Sequence, residues 1–411
     1  MNTLVLKNAT LIDGTGADPV FNASVVVEGE RIKEVLAGSP GAVPAGATVL
    51  DCSGQTLLPG LIDAHVHVGA VEANLMEQQR RVFPSVLVIR TVKVIQEALD
   101  QGFTTIREAG GAEPGFREAV AQGLIPGPRM LMCGFPLTQT GGHGDFRLPT
   151  EGYTPVEQVA GLATRVCDGV DQVRRCSRDL LRQGVDHLKI MAGGGAMSPS
   201  DEIDTSQYSL EELRAAVFEA EAVGKYVMAH VYSGRSIRNC VSAGVRSLEH
   251  GNLLDEISAK AIKESGAYLV PTLVTYEMIS RMGKDLGIPD NNVRKINEAR
   301  ERGLEALAIA HRVGVKIGSG SDLLGPMQVY KAMELELKSR VLGPMGAIVA
   351  TTKTNAELLK REKDLGTVEA GKLADLIVVR GDPLKDIKVL QNYQDRITLI
   401  LQGGKIYKHI S

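Results

Sequence analysis

Tryptophan is absent from this chain, and aromatic residues make up only 4% of it. That scarcity argues against stacking platforms for nucleic-acid bases. Cysteine is sparse too. The five present (Cys52, Cys133, Cys167, Cys176, Cys240) are odd in number and show no Cys-x-x-Cys spacing. Reduced thiols in a cytosolic protein fit them better than a disulfide framework. No apolar run approaches the roughly 20 residues needed to cross a bilayer. The start, Met1-Asn2-Thr3-Leu4-Val5-Leu6-Lys7, lacks the charged region, apolar core and cleavage site of a signal peptide, and reads as an alternating strand. A cytoplasmic location is therefore expected. Neither sign of charge dominates, with 46 basic against 49 acidic residues, so no field for nucleic acid or an anionic membrane is expected.

What is present is length and glycine. A chain of 411 residues can bury a large core, and its 45 glycines suit a fold with many turns. Up to about residue 57 the pattern is of short strands with turn signals between them: Thr3–Lys7, Ala9–Ile12, Ser24–Val27, Arg31–Val35 and Thr48–Cys52. The last fifty or so residues look alike, with Leu376–Arg380, Ile397–Leu401 and Gly403-Gly404-Lys405-Ile406-Tyr407. Each terminal piece is too short for a stable sheet of its own. Together, residues 1–57 and 358–411 predict one small β-sandwich domain.

Residues 58–357 repeat strand, loop and helix. The strands are Ile62–Val68, Phe103–Glu108, Arg129–Cys133, His187–Met191, Tyr226–His230, Ser247–His250, Tyr268–Val270 and Lys316–Gly318. Helical patterns lie between most of them, including Ser85–Gln101, 155–183 and Leu210–Val223. Gln101-Gly102, Gln183-Gly184, Ala243-Gly244 and Val313-Gly314 fit helix ends capped by glycine and handed to a parallel strand. This α/β alternation predicts a (β/α)8 barrel of the TIM type. An open doubly wound sheet competes, but no Gly-x-Gly-x-x-Gly follows the first strand.

Polar residues then fall at equivalent places. Leu57-Leu58-Pro59-Gly60-Leu61-Ile62-Asp63-Ala64-His65-Val66-His67-Val68 ends in two histidines one residue apart, which a strand points to the same side. Such a pair can form half of a metal site. Lys189 lies in the fourth strand, His230 ends the fifth, His250 ends the sixth, and Asp322 follows the eighth in Ile317-Gly-Ser-Gly-Ser-Asp322. Barrel enzymes place their active sites at these C-terminal strand ends, so all six residues are expected at one mouth.

Over nearly its whole length the chain resembles the amidohydrolase superfamily. The match rests on Pro59-Gly60-Leu61-Ile62-Asp63-Ala64-His65-Val66-His67, the two single histidines, the late aspartate and the closing Gly366-Thr-Val-Glu-Ala-Gly-Lys-Leu-Ala-Asp375-Leu-Ile-Val. The resemblance implies a barrel with a composite β-sandwich and a binuclear centre. His65, His67 and Asp322 would hold one divalent ion, and His230 and His250 the other. Lys189, which as an ammonium could not bind a cation, would bridge them as a carbamate formed with carbon dioxide. Zinc suits such ligands. A hydroxide shared by the metals would attack a carbonyl, with Asp322 as general base and then general acid.

The loop Thr138-Gln-Thr-Gly-Gly-His143-Gly-Asp145 and the motif His230-Val231-Tyr232 resemble the branch containing Xaa-Pro dipeptidases (prolidases) and carboxypeptidases for C-terminal Arg or Lys. That likeness puts His143 and Tyr232 against the substrate carbonyl, where a donor stabilises developing charge. A dipeptide carboxylate needs a cation. Arg238, three residues after Arg235, is the candidate. The Tyr232–Asn239 stretch carries no carboxylate, which favours a neutral C-terminal residue, proline first. Glu277, Asp201, Glu202 and Asp204 remain as acids that an Arg or Lys substrate would need. A cyclic amide or imidazolone hydrolase is a further alternative. From another class, so is a non-catalytic assembly protein on this scaffold, although such proteins lose metal ligands. The expected partner is a small dipeptide, with no nucleic acid and no membrane. The resemblance also implies a homo-oligomer, and the Gly-, Ser- and Pro-containing stretches 140–153 and 193–208 read as loops near the expected mouth.

Overall fold

The computed structural model describes residues 3–38, 46–148, 150–152 and 163–410. Strands from both ends of the chain join in one eight-stranded sheet. Thr3–Leu11 is its hub, antiparallel to Val20–Glu28 and parallel to both Thr48–Asp51 and Gln55–Pro59. The C-terminal strand Leu376–Arg380 runs antiparallel to Gln55–Pro59, so Leu58 faces Ile377, and Ile397–Gln402 and Lys405–His409 follow at one edge. The stretches 3–7 and 9–12, expected as separate strands, make one strand with a register shift after Leu6. Asn8 accounts for it. Its backbone is left-handed (φ 62°), which asparagine tolerates, and its side-chain amide donates to Asp51 Oδ1 at 3.0 Å.

Leu6, Val25 and Val27 from the N-terminal strands share a core with Val378, Leu399 and Leu401.

Every expected strand of the central region forms, most within two residues of its predicted bounds. Leu61–Val66, Phe103–Glu108 and Arg129–Leu131 make one parallel sheet. Leu188–Met191, Val227–Ser233, Ser247–Leu253, Tyr268–Val270 and Lys316–Ile317 make another, extended by the short strands Leu137–Thr138 and Arg165–Val166. Backbone hydrogen bonds cross both seams between the sheets. Asp186 N donates to Met132 O (2.7 Å), and Ala64 N donates to Ser319 O (2.9 Å). The Asn355 amide ties the second seam from below, donating to Ile62 O and Ser319 O. Most of these strands are buried on both faces, as parallel strands flanked by helices must be.

The helices Pro84–Asp100, Gly169–Arg182, Leu210–Glu221, Gly234–Ala243, Glu256–Ser265 and Asp290–Val313 intervene. Part of the predicted helix 155–183 lies outside the described residues, and the described part becomes helical at Gly169. The glycines expected at helix ends have left-handed φ, between 82° at Gly184 and 92° at Gly244, where any other residue would be strained. No helix among the described residues is long and apolar enough to cross a membrane.

Candidate active site

The strand ends deliver their polar side chains to one cavity. His65, His67, His143, Lys189, His230, Tyr232, His250 and Asp322 all line it. The His65 and His67 rings lie 5.3 Å apart, as two residues on one side of a strand should. His65 is 4.9 Å from His250, and His250 is 4.5 Å from His230. Donor atoms of His65, His250 and Asp322 all fall within 4.8 Å of one another. Asp322 Oδ1 stands 3.3 Å from His67 Nε2 and 3.5 Å from His65 Nε2. Two of these residues hold unusual backbones, with φ of 71° at His250 and 53° at Asp322. Non-glycine residues in that region cost about 1 kcal/mol or more, and such strain gathers at working sites.

Outer contacts fix which nitrogen of each ring faces the cavity. His65 Nδ1 is 2.7 Å from Glu249 Oε2, and a carboxylate can only accept, so Nδ1 carries the proton. Its Nε2 is buried with no hydrogen-bond partner, a free lone pair aimed at the cavity. His67 Nδ1 donates to Gly110 O at 2.7 Å, which turns its Nε2 to Asp322 Oδ1, 3.3 Å away. His230 is reversed, with Nε2 donating to Gly194 O (3.0 Å) and Nδ1 left free. His250 Nδ1 meets Thr272 Oγ1 at 2.8 Å. Imidazoles locked in this way, with a carboxylate and a buried lysine beside them, fit divalent metal.

Electrostatics agree with that donor set. Burial, then the charge of Lys189, pushes His65 well below the ordinary histidine range. Burial takes His250 down to about 3 against the pull of Asp322, so the His65 and His250 rings are neutral. Burial likewise lowers Lys189. It would raise Asp322, but the His67 hydrogen bond and the neighbouring charges outweigh it and hold this carboxyl low.

Five partners do not stand out in the sequence. Glu249 joins His65 to Arg107, whose Nη2 lies 2.9 Å from Oε1 and 3.1 Å from Oε2, and Ser247 Oγ donates to Oε1 at 2.5 Å. Arg107 and Glu249 are fully buried. Their signal was available, since a charged residue inside a buried strand must be paired. Thr272 and Tyr276 sit in ordinary sequence and gave none. Tyr276 donates its hydroxyl to Tyr232 Oη at 2.8 Å, which leaves the Tyr232 proton for an oxygen in the cavity.

Arg238 does not join the others. It lies on the helix Gly234–Ala243, and its Nη1 reaches Ser258 Oγ at 2.9 Å and Asp255 Oδ2 at 3.3 Å. The helix turns it toward its neighbour Glu256–Ser265, so it is absent from the cavity lining and corrects the expectation of a carboxylate partner there.

The chain matches the amidohydrolase family model over residues 56–406. Ochratoxinase of Aspergillus niger is 31% identical over 419 aligned residues, covering 98% of this chain and 86% of that one. A prolidase complexed with N-methylphosphonate-L-proline superposes with a TM-score of 0.96 at 40% identity over the full length of both. A Xaa-Pro dipeptidase with bound methionine gives 0.90 at 28% identity, covering 99% and 100%. Catalytic-type residues, strand order and these likenesses agree: the chain belongs to the amidohydrolase family, in its prolidase-like branch.

Proposed function

We propose that the protein is a binuclear metal-dependent dipeptidase that prefers L-Xaa-L-Pro. The supporting observation is the convergence of four inward imidazoles, Asp322 and buried Lys189 on one cavity. In this reading His65, His67 and Asp322 would hold one ion and His230 and His250 the second, and Lys189, as a carbamate, would supply an anionic ligand to the pair. Burial favours the neutral amine at Lys189, the form that adds to carbon dioxide with loss of a proton. Bound divalent ions, zinc first, supply Lewis acidity for the carbonyl and an acidified water. The family further supports joining the two parallel sheets as one (β/α)8 barrel, residues 58–357, beside a domain from 1–57 and 358–411.

The chain's own groups complete the reaction. Asp322, held ionised, accepts the proton of the attacking water and returns it to the leaving nitrogen. Tyr232, its oxygen already accepting from Tyr276, donates toward the carbonyl oxygen as charge develops. Leu75, Phe146, Ile279 and Ile296 line the cavity, exclude water and favour apolar substrate side chains.

Charge selects against Arg or Lys at the C-terminal position. Among the described lining residues Asp322 is the only carboxylate. Of the other acids considered, Glu277 pairs with Arg281 and Arg300 and Glu202 with Arg294, and neither these two nor Asp201 and Asp204 line the cavity. A second reading, hydrolysis of ochratoxin, is favoured by the 31% identity to ochratoxinase and by the apolar wall.

Zinc-loaded protein incubated with an L-Xaa-L-Xaa dipeptide library, read as free amino acid release, tests this. Fast turnover confined to C-terminal proline is expected. Turnover confined to C-terminal Arg or Lys overturns the pocket argument, and none at all with metal confirmed bound overturns the dipeptidase reading.

A further inference from the structure

His143 sits in a glycine-rich loop, yet its ring is held from outside the loop. Its Nδ1 lies 3.0 Å from Ser198 Oγ, and Ser198 is fully buried. Ser198 has a single hydroxyl proton and two neighbours that can only accept: the Asp201 carboxylate Oδ1, in a short hydrogen bond, and Gly195 O at 3.1 Å. Its other oxygen, Oδ2, accepts from Gln207 Nε2 (2.6 Å) and Gly195 N (3.2 Å), contacts that favour the ionised carboxylate. With its proton directed to Asp201 or Gly195, Ser198 can only accept from His143. The imidazole therefore donates from Nδ1.

The surrounding segment is built to keep this line in place. Lys295, fully buried on the helix Asp290–Val313, donates to three carbonyls of one turn: Gly195 O at 3.0 Å, Ser198 O at 2.9 Å and Asp201 O at 2.9 Å. All three ammonium protons are used. Asn292, one helical turn earlier, donates to Ala196 O (2.7 Å) and Ser198 O (3.3 Å). Gln207 closes the circuit, since its Oε1 accepts from the His143 backbone N at 2.9 Å. Gly195 allows the approach, because a Cβ there would overlap the His143 ring. The ring in turn stacks on His230 at 4.1 Å.

We propose that Ser198 and Asp201 are positioning residues that hold the Nδ1 proton of His143, with Lys295 clamping the turn that carries them, so that Nε2 presents a lone pair to the cavity and acts as an acceptor, not as the donor to a carbonyl expected from the sequence. The kinetic consequence rests on the hydrolase reading; the proton location does not.

Two measurements on the full-length, zinc-loaded protein test this. The first uses 15N-histidine labelling and two-bond 1H–15N correlation, with the His143 signal assigned by its loss in His143→Gln. A protonated Nδ1 is expected in the wild type, with that preference lost in Ser198→Ala. A bare Nδ1 in the wild type overturns the proposal, whatever the substrate proves to be. The second is dipeptide turnover in a double-mutant cycle. Ser198→Ala should lower kcat by about 10- to 100-fold, the usual loss for a group that orients another. Ser198→Thr, which keeps the hydroxyl, should recover much of it. In the His143→Gln background Ser198→Ala should change kcat by less than about twofold, since residues acting as one unit are not additive. Losses that multiply in the double variant would mean that Ser198 supports the fold and not His143, and would overturn the positioning role. A wild type that cleaves no dipeptide sinks the dipeptidase reading alone, and the proton location still decides this one.

Discussion

Glu249→Gln is the most informative single change. Glu249 is fully buried and serves Arg107, Ser247 and His65 at once. The amide replaces one accepting oxygen by an NH2 group, and both orientations fail. With the NH2 toward Arg107, two donors face each other and a buried guanidinium loses its counter-charge. With the NH2 toward His65, Nδ1 must become an acceptor, the ring proton moves to Nε2, and the lone pair facing the cavity is gone. Breaking a buried ion pair from one side costs about 3–5 kcal/mol. With an unfolding entropy of about 2.1 cal/mol/K per residue over 411 residues, that corresponds to a Tm lower by about 3–6 °C. Losing the carboxylate behind a ligating histidine costs a further 10- to 100-fold or so in metal affinity. Thermal unfolding of the metal-free protein reads the first effect, and zinc competition with a chelator reads the second. Wild-type Tm together with wild-type zinc affinity would refute the reasoning, because neither orientation leaves both intact.

Three further outcomes are expected. Asp322→Asn should retain most of its metal, measured by elemental analysis, yet lose about 10²–10⁴ in turnover as its proton-transfer role goes; near-native kcat would remove Asp322 from that role. Arg238→Ala should leave kcat/KM within about twofold and cost at most about 1 kcal/mol, since the Asp255 pair is exposed; a tenfold rise in KM would return Arg238 to the substrate. Glu334, raised to about 7 by burial against the pull of Lys338, contributes stability present below its ordinary value of 4.5 and lost as pH rises through about 7. The slope of metal-free stability against pH, at most about 1.4 kcal/mol per unit from this group, should flatten in Glu334→Gln; an unchanged slope between pH 5 and 8 would place the titration elsewhere.

The sequence by itself determined the alternation of strand and helix, because apolar period and glycine caps are local properties. It also marked the strand ends: His65, His67, Lys189, His230, His250 and Asp322 were legible since a strand's exit from the core is where a polar residue stands out. What it left open depended on distance along the chain. Arg107 and Glu249 meet across 142 positions, and only the packing of strands shows that each neutralises the other and that Glu249 locks His65. Arg238 lay close to Tyr232 in sequence, but helix rotation turned it to Asp255. Ser198 and Lys295 carried no local signal. Their meaning comes from a turn and a helix about a hundred residues apart folding over the same loop, and from an accounting of hydroxyl, amide and ammonium protons that needs every neighbour in place. Local chemistry wrote the polar strand-end residues into the sequence; tertiary packing decided which atom of each histidine faces the cavity.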